Sequence, residues 1–315
     1  MLRPRFVFRL AATTTTLILL AGCSPAAKAP TGDGAFDAQR AFGLLKKQVS
    51  LGTRVPDTGP HTACAAFIQE SLKPYADEVA TQTFTANVRG KQLSLTNIIA
   101  RFNPKAARWI LLAAHWDTRP TADCEVVAEK RRLPIPGAND GASGTAVLLE
   151  LARMFGTRKP DVGVIMVFLD GEDYGPGESG MFLGSKYYAS QSAKGRTAPP
   201  REKIAYGILL DMVGDKDLKI PQEQKSLEAA PDVMRNIWGT AEALGYHDVF
   251  PSVEGLAISD DHVPLIGAGI KCVDLIDFEY GPWHTLDDTP DKCSPQSLKA
   301  VGDVVAAVVY KESDK

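Results

Sequence analysis

The segment GANDGASGTAVLLELARMFGTRKPDVGVIMVFLDGED, residues 137–173, carries the pattern that decides the fold. In its first half Val147, Leu148, Leu151 and Phe155 recur at helical spacing, so Ala142 to Phe155 reads as a helix with one apolar face. The second half, Val162 to Leu169, is a continuous apolar run without polar alternation, which fits a strand buried on both faces. A helix feeding such a strand is the repeating element of a parallel α/β sheet. The apolar run ends on Asp170, Glu172 and Asp173, acids placed just past a buried strand.

The pattern continues outward in both directions. Trp109 to Ala114, Ile204 to Leu210 and Ile270 to Ile276 are further buried strands. Val79 to Ala86 and Leu93 to Phe102 alternate better and read as an antiparallel pair toward a sheet edge. Helical patterns cover Ala35 to Val49, His61 to Leu72, Pro231 to Leu244 and Pro295 to Tyr310. No repeat or linker divides this stretch, and 44 % hydrophobic content is enough for one sizeable core. The expected fold is α/β: a single domain over residues 35–315, packed from about Phe36 to Lys311. Its central sheet is mixed, mostly parallel and twisted, with helices on both faces.

The first residues belong to export rather than to the fold. Arg3, Arg5 and Arg9 precede a short apolar stretch, Leu10 to Leu20, well below the ~20 residues of a membrane span. Residues 1–22 read as a signal peptide, and Leu20-Ala21-Gly22-Cys23 resembles a bacterial lipobox, which makes Cys23 the lipidation site. Residues 23–34, rich in Ala, Pro and Gly, read as the acylated cysteine and its flexible tether. Ser24, where retention in the inner membrane would by family analogy favour Asp, points to the outer membrane, on its periplasmic or surface side, if the source is Gram-negative. The expected contact with membrane is through this anchor alone. A net charge of −3 argues against a nucleic-acid partner. Cys64, Cys124, Cys272 and Cys293 lack zinc-finger spacing and read as bridges or buried thiols, with pairing undetermined.

Polar residues gather where the apolar strands end: His115 and Asp117, then Asp170, Glu172 and Asp173, then Asp211, then Asp274 and Asp277. Open α/β sheets bind ligands outside the carboxyl ends of their strands. A row of acids there is costly to leave unpaired, so a cation is expected. Asn139-Asp140-Gly141 and Trp283-His284-Thr285 complete a donor set of imidazoles and carboxylates that suits zinc. Taken singly, Asp140 could be a helix cap, His115 a core histidine and Asp211 the start of a loop.

The segments His115-Trp-Asp117, Gly137-Ala-Asn-Asp140-Gly-Ala-Ser-Gly144, Phe168-Leu-Asp-Gly-Glu172-Asp173, Leu210-Asp211-Met-Val-Gly214 and Trp283-His284-Thr285 resemble the M28 zinc peptidases, most closely their glutaminyl cyclase branch. The resemblance implies Asp140, Asp173 and His284 as ligands of the catalytic zinc and Glu172 as general acid/base. It implies a catalytic role for Asp211, and His115 with Asp211 as the completion of a second zinc site in dinuclear aminopeptidases. One ion is expected and two are allowed. Asp173 departs from the family, which usually has Glu there. A shorter carboxylate requires a closer backbone or a different denticity.

Two reactions compete. An aminopeptidase activates water at the metal with Glu172 as base. A cyclase uses no water: the α-amine of an N-terminal glutamine attacks its own γ-carboxamide, polarised by the metal, and Glu172 carries the proton to the departing ammonia. Ser259-Asp260-Asp261-His262-Val263-Pro264 resembles the cyclase pattern, in which Asp260 joins the hydrogen-bond network of the glutamate. Trp283 matches a substrate-lining indole. Asp274 stands where animal cyclases have a histidine; it could accept a neighbouring hydrogen bond or support His284. The expected activity is cyclisation of peptides or proteins with N-terminal Gln to pyroglutamate, with aminopeptidase as the alternative. A non-catalytic zinc-binding surface lipoprotein is the reading of another class, opposed by the intact Glu172. Lys130-Arg131-Arg132 reads as a solvated basic face, with steering of substrate carboxylates as the functional alternative. The Gly-rich loop Tyr174 to Gly180 suits a close wrap around the site.

Overall fold

The computed structural model describes residues 34–314. The expected signal peptide, Cys23 and nearly all of the tether lie outside the described residues.

Strands β1 (Glu78–Val88) and β2 (Lys91–Phe102) form an antiparallel hairpin, with Glu78 opposite Arg101 and Val88 opposite Lys91. Its turn uses positive φ at Arg89 (52°) and Gly90 (85°), which matches the twist of the flanking strands. The Asn87 side chain accepts from the Gly90 N–H at 2.9 Å. Strands β3 (Trp109–His115), β4 (Gly163–Leu169), β5 (Ile204–Asp211) and β6 (Cys272–Ile276) complete a six-stranded sheet in the order β1-β2-β4-β3-β5-β6. β2 runs antiparallel to β4, while β4, β3, β5 and β6 are mutually parallel. The sheet is mixed, with the antiparallel pair at one edge, as the residue pattern predicts.

The helices are α1 (Ala38–Ser50), α2 (Gly59–Leu72), α3 (Ala142–Thr157), α4 (Leu183–Ala193), α5 (Gln224–Ala229), α6 (Pro231–Ala243), α7 (His262–Gly267) and α8 (Pro295–Lys311). The two sheet faces separate by alternation along each strand. Ile110, Leu112 and Ala114 of β3 pack with Leu45, Leu148, Trp238 and Val305 in the larger core, which takes in α1, α2, α3, α6 and α8. Trp109, Leu111 and Ala113 face the other way, against Tyr188 of α4 and Leu265 of α7.

Helices α4, α5 and α7 are absent from the residue-pattern reading. α4 has no apolar stripe to find, because it packs through Gly184, Ser185 and Ala189 as much as through Leu183 and Tyr188. α5 and α7 are single short turns set by their surroundings. β6 begins at Cys272 rather than Ile270, because the Ile270 N–H is bound to Leu265 O and closes the end of α7. Among the described residues the four cysteines are free thiols: Cys64, Cys272 and Cys293 buried, Cys124 exposed. The bridged alternative is not realised.

α3 crosses the sheet very closely at Gly144, where a Cβ would lie 2.1 Å from Leu210 O and 3.1 Å from Ala114 Cβ. Both neighbours belong to central strands, so neither has room to withdraw. Gly144→Ala is expected to lower stability by about 2–3 kcal/mol, at least about 5 °C in melting temperature. A thermal scan that shows no shift would refute this packing.

Candidate active site

The carboxyl ends of β3, β4 and β5 open on one side of the sheet, beside the N-terminus of α3, and deliver the polar residues to one pocket. Asp140 precedes Gly141, the N-cap of α3, which has φ 95° and supplies no side-chain cap. The capping role considered for Asp140 is therefore not the one it plays. Its turn is held by Asp288, whose carboxylate accepts from Asn139 N at 2.8 Å and Asp140 N at 3.1 Å, and from the Tyr280 hydroxyl at 2.8 Å. Arg54, fully buried, holds the approach by donating to Pro136 O at 2.7 Å and Gly137 O at 2.5 Å.

Past β4, Asp117 orients the acidic pair. Its carboxylate accepts from Glu172 N at 3.0 Å and Asp173 N at 3.3 Å. The Gly-rich loop then folds back, with Gly175 N bound to Gly180 O and Phe182 N to Glu172 O, and brings Met181 to the pocket wall. His284 sits in the left-handed region, φ 56°, a conformation that costs of order 1–3 kcal/mol and clusters at functional sites. That backbone turns its Nε2 to within 3.4 Å of Asp173 Oδ1 and 3.7 Å of Asp140 Oδ2.

Asp140, Asp173 and His284 thus present converging donor atoms, all buried. Asp173 Oδ1 is bound by the Arg119 guanidinium, while its Oδ2 is buried with no hydrogen-bond partner. An orphaned buried oxygen on a carboxylate that also faces an imidazole fits a metal ligand. Mixed O and N donors are the chemistry of zinc. The shorter Asp173 side chain shares its other oxygen with Arg119 in this arrangement.

The remaining polar residues lie alongside. His115 Nε2 is 3.0 Å from Asp211 Oδ1 and 3.2 Å from Asp140 Oδ1. Glu172 is buried within 3.8 Å of His115 Nδ1. Burial, then the charge of Asp173, pushes the Glu172 carboxyl well above the ordinary carboxylate range, against the opposing pull of His115. Asp260 lines the same pocket and is pushed up to about 7, first by burial and then by Asp211, opposed by His262. Asp140 goes the other way: burial raises it, but hydrogen bonding to His115 and the charge of that ring leave it lowered. Trp283, half-buried, stacks on His284 with ring centroids 3.7 Å apart and forms a wall of the pocket.

Some supporting residues have no sequence motif to announce them. The carboxylate beside His284 Nδ1 is Asp123, at 3.1 Å, itself held by Arg119 at 2.8 and 2.9 Å. Asp274, considered for that role, instead faces His262 Nδ1 at 3.4 Å. The basic cluster Lys130 to Arg132 is an exposed turn, in keeping with a solvated face.

Glu223 is a further buried anchor. It accepts from Lys225 N, Ser226 N, Ser226 Oγ and Ile258 N, and faces His262 Nε2 at 3.3 Å, tying the 256–260 pocket wall to α5 and α7. Although burial opposes it, hydrogen bonding from His262 and Ser226 brings this carboxyl down to about 2. A depressed carboxyl stabilises above its unfolded value and loses that contribution as pH falls toward the folded one. Glu223→Gln is expected to be destabilised by roughly 3 kcal/mol at pH 7, with the gap from wild type closing between about pH 4.5 and pH 2. Parallel denaturation curves at both ends of that window are the check; a pH-independent gap would refute the charged state.

The sequence profile of peptidase family M28 matches residues 97–309. Glutaminyl-peptide cyclotransferase of Bos taurus is 26 % identical, over 80 % of this chain and 76 % of its own length. The crystal structure of Bacteroides thetaiotaomicron glutaminyl cyclase bound to N-acetylhistamine superposes with TM-score 0.85 at 37 % identity, covering 91 % of this chain and all of that one (100 %). A leucine aminopeptidase precursor from the same organism superposes with TM-score 0.84 at 37 % identity, covering 88 % and 98 %. The matched stretch contains strands β3 to β6, α3 and the loops that assemble the pocket, and on that evidence the chain belongs to peptidase family M28.

Proposed function

We propose that the protein is a zinc-dependent glutaminyl-peptide cyclotransferase, converting N-terminal glutamine to pyroglutamate with release of ammonia. The observation that carries this reading is the pocket itself. It is a small cavity of about 210 Å³, below the usual range for drug-sized ligands, lined by the Trp283 indole together with Glu172 and Asp260. Such a space suits one short side chain and leaves little room for competing water.

Asp140, Asp173 and His284 would hold the ion. When bound there, zinc supplies Lewis acidity to the γ-carboxamide carbonyl. Glu172 takes a proton from the α-amine as the new C–N bond forms, then passes it to the departing amide nitrogen, which leaves as ammonia. Its raised carboxyl suits the donating half of that cycle. Asp260 and Asp261 are neighbouring carboxyl groups whose charge raises Glu172 and helps keep the proton on the site.

The substrates are exported peptides or proteins with N-terminal Gln, met by an enzyme tethered through Cys23 at the outer membrane. Supporting this is the residue pattern of 1–34. Aminopeptidase activity is the second reading, favoured by the similarity to a leucine aminopeptidase precursor. Zinc-loaded protein given Gln-initiated peptides and aminoacyl chromogenic substrates separates the two. Ammonia release without cleavage is expected; cleavage without ammonia would overturn the cyclase reading.

A further inference from the structure

Among the described residues, the large apolar side chains left exposed fall into two groups, Val126, Val127 and Leu133 on one loop, and Val253, Leu256 and Phe278 together. The second group surrounds a groove of about 340 Å³ that adjoins the active-site pocket. The two cavities share Leu256, Ile258, Ile276 and Phe278 as a common wall, so the groove is an extension of the pocket rather than a separate cleft. Val253 and Pro251 belong to the groove alone. Val253 is 56 % exposed and Leu256 61 %, an arrangement that wastes apolar surface unless something covers it.

We propose that this groove is a subsite for an apolar side chain one or two residues beyond the N-terminal residue of a peptide substrate. The inference rests on the reading of the metal pocket as the seat of that N-terminal residue. The pocket is too small for more than one residue, so the rest of the peptide must leave across its rim. An extended chain advances roughly 3.3–3.6 Å per residue, which carries the next side chains over the shared wall formed by Leu256 and Phe278. The backbone of this wall is fixed: Glu223 accepts from Ile258 N at 2.9 Å, Gln222 N donates to Val253 O at 2.9 Å and Gln224 N to Leu256 O at 3.1 Å. A preformed wall of this kind binds a side chain without first having to be ordered. Exposed Glu254 and Glu279 rim the groove, so an acidic residue in the same place is disfavoured.

The test compares zinc-loaded wild type with Val253→Asp and Val253→Ser on four substrates: glutamine amide, Gln-Gly-Gly-amide, Gln-Leu-Gly-amide and Gln-Gly-Leu-amide. In wild type one leucine peptide is expected to exceed the glycine peptide roughly tenfold in kcat/KM, the scale of an added apolar contact in a partly open site. Val253→Asp should abolish that preference and Val253→Ser should reduce it, both leaving glutamine amide turnover at the wild-type level. Equal kcat/KM for leucine and glycine peptides, or a preference that survives Val253→Asp, would overturn the subsite. If none of the four releases ammonia, the cyclase reading fails, and the groove is judged by calorimetric affinity of the same peptides. A Leu-over-Gly advantage lost in Val253→Asp would then uphold it, and equal affinities would reject it.

Discussion

Glu172→Gln is expected to lower kcat for N-terminal glutamine cyclisation by about 10²–10⁴-fold while zinc stays bound at the wild-type stoichiometry. The substitution keeps the shape of the side chain and removes only its ability to accept and return a proton. Glu172 owes its position to its own backbone, since the N–H is fixed on Asp117, so the amide variant should occupy the same place. Its proton affinity is unusual because it is buried, then because Asp173 lies beside it, with His115 pulling the other way. The neutral amide escapes the first two penalties, so the variant should be no less stable than wild type. Metal content, melting temperature and single-turnover ammonia release measured on one preparation separate the effects. Turnover above about a tenth of wild type would reject Glu172 as the proton carrier.

The parts of this molecule that were readable from residues alone are those governed by repeating physical patterns. Buried parallel strands must be apolar on both faces, so β3, β4 and β5 are visible as runs, and the acids at or just past their ends are conspicuous as the first charged residues after an apolar run. α3 is visible because its core face recurs at helical spacing. The supporting groups follow no such rule. Arg119, Asp123, Asp288 and Glu223 act through contacts between segments 35 to 161 residues apart, or through a loop whose path depends on the rest of the fold. Asp288 is the instructive case. It lies four residues after His284 and looks like a solvated turn acid, yet it is wholly buried and carries the Asp140 turn. Buried, and next to the charge of Asp140, it is pushed up to about 7. Asp274 shows a choice that residue order leaves open and the fold closes: of a neighbouring partner or His284, the β6 register puts it beside a neighbour, His262.

His284→Ala is expected to abolish both stable zinc binding and activity, leaving a folded protein that returns no metal after dialysis. The two carboxylates that remain, Asp140 and Asp173, are mutually repulsive: the charge of Asp140 is among the influences that raise Asp173, second only to its burial. They also have Arg119 at hand to satisfy Asp173 without an ion. Removal of the imidazole therefore takes away a neutral donor and leaves a competitor cation in place, a combination that should favour the metal-free state. Alanine further relieves little of the left-handed strain at this position, so a gain in stability is not expected to mask the loss. Asp123→Asn tests the same geometry from outside the ligand set. Its carboxylate faces His284 Nδ1 at 3.1 Å, where it fixes the ring and makes Nε2 a better donor. Its loss should weaken zinc affinity by about 10–100-fold without eliminating it, and activity should return when excess zinc is supplied. If the order were reversed, with His284→Ala holding zinc as tightly as wild type and Asp123→Asn failing to bind, neither ring nitrogen of His284 would be a ligand and the assignment of this imidazole to the metal would fall.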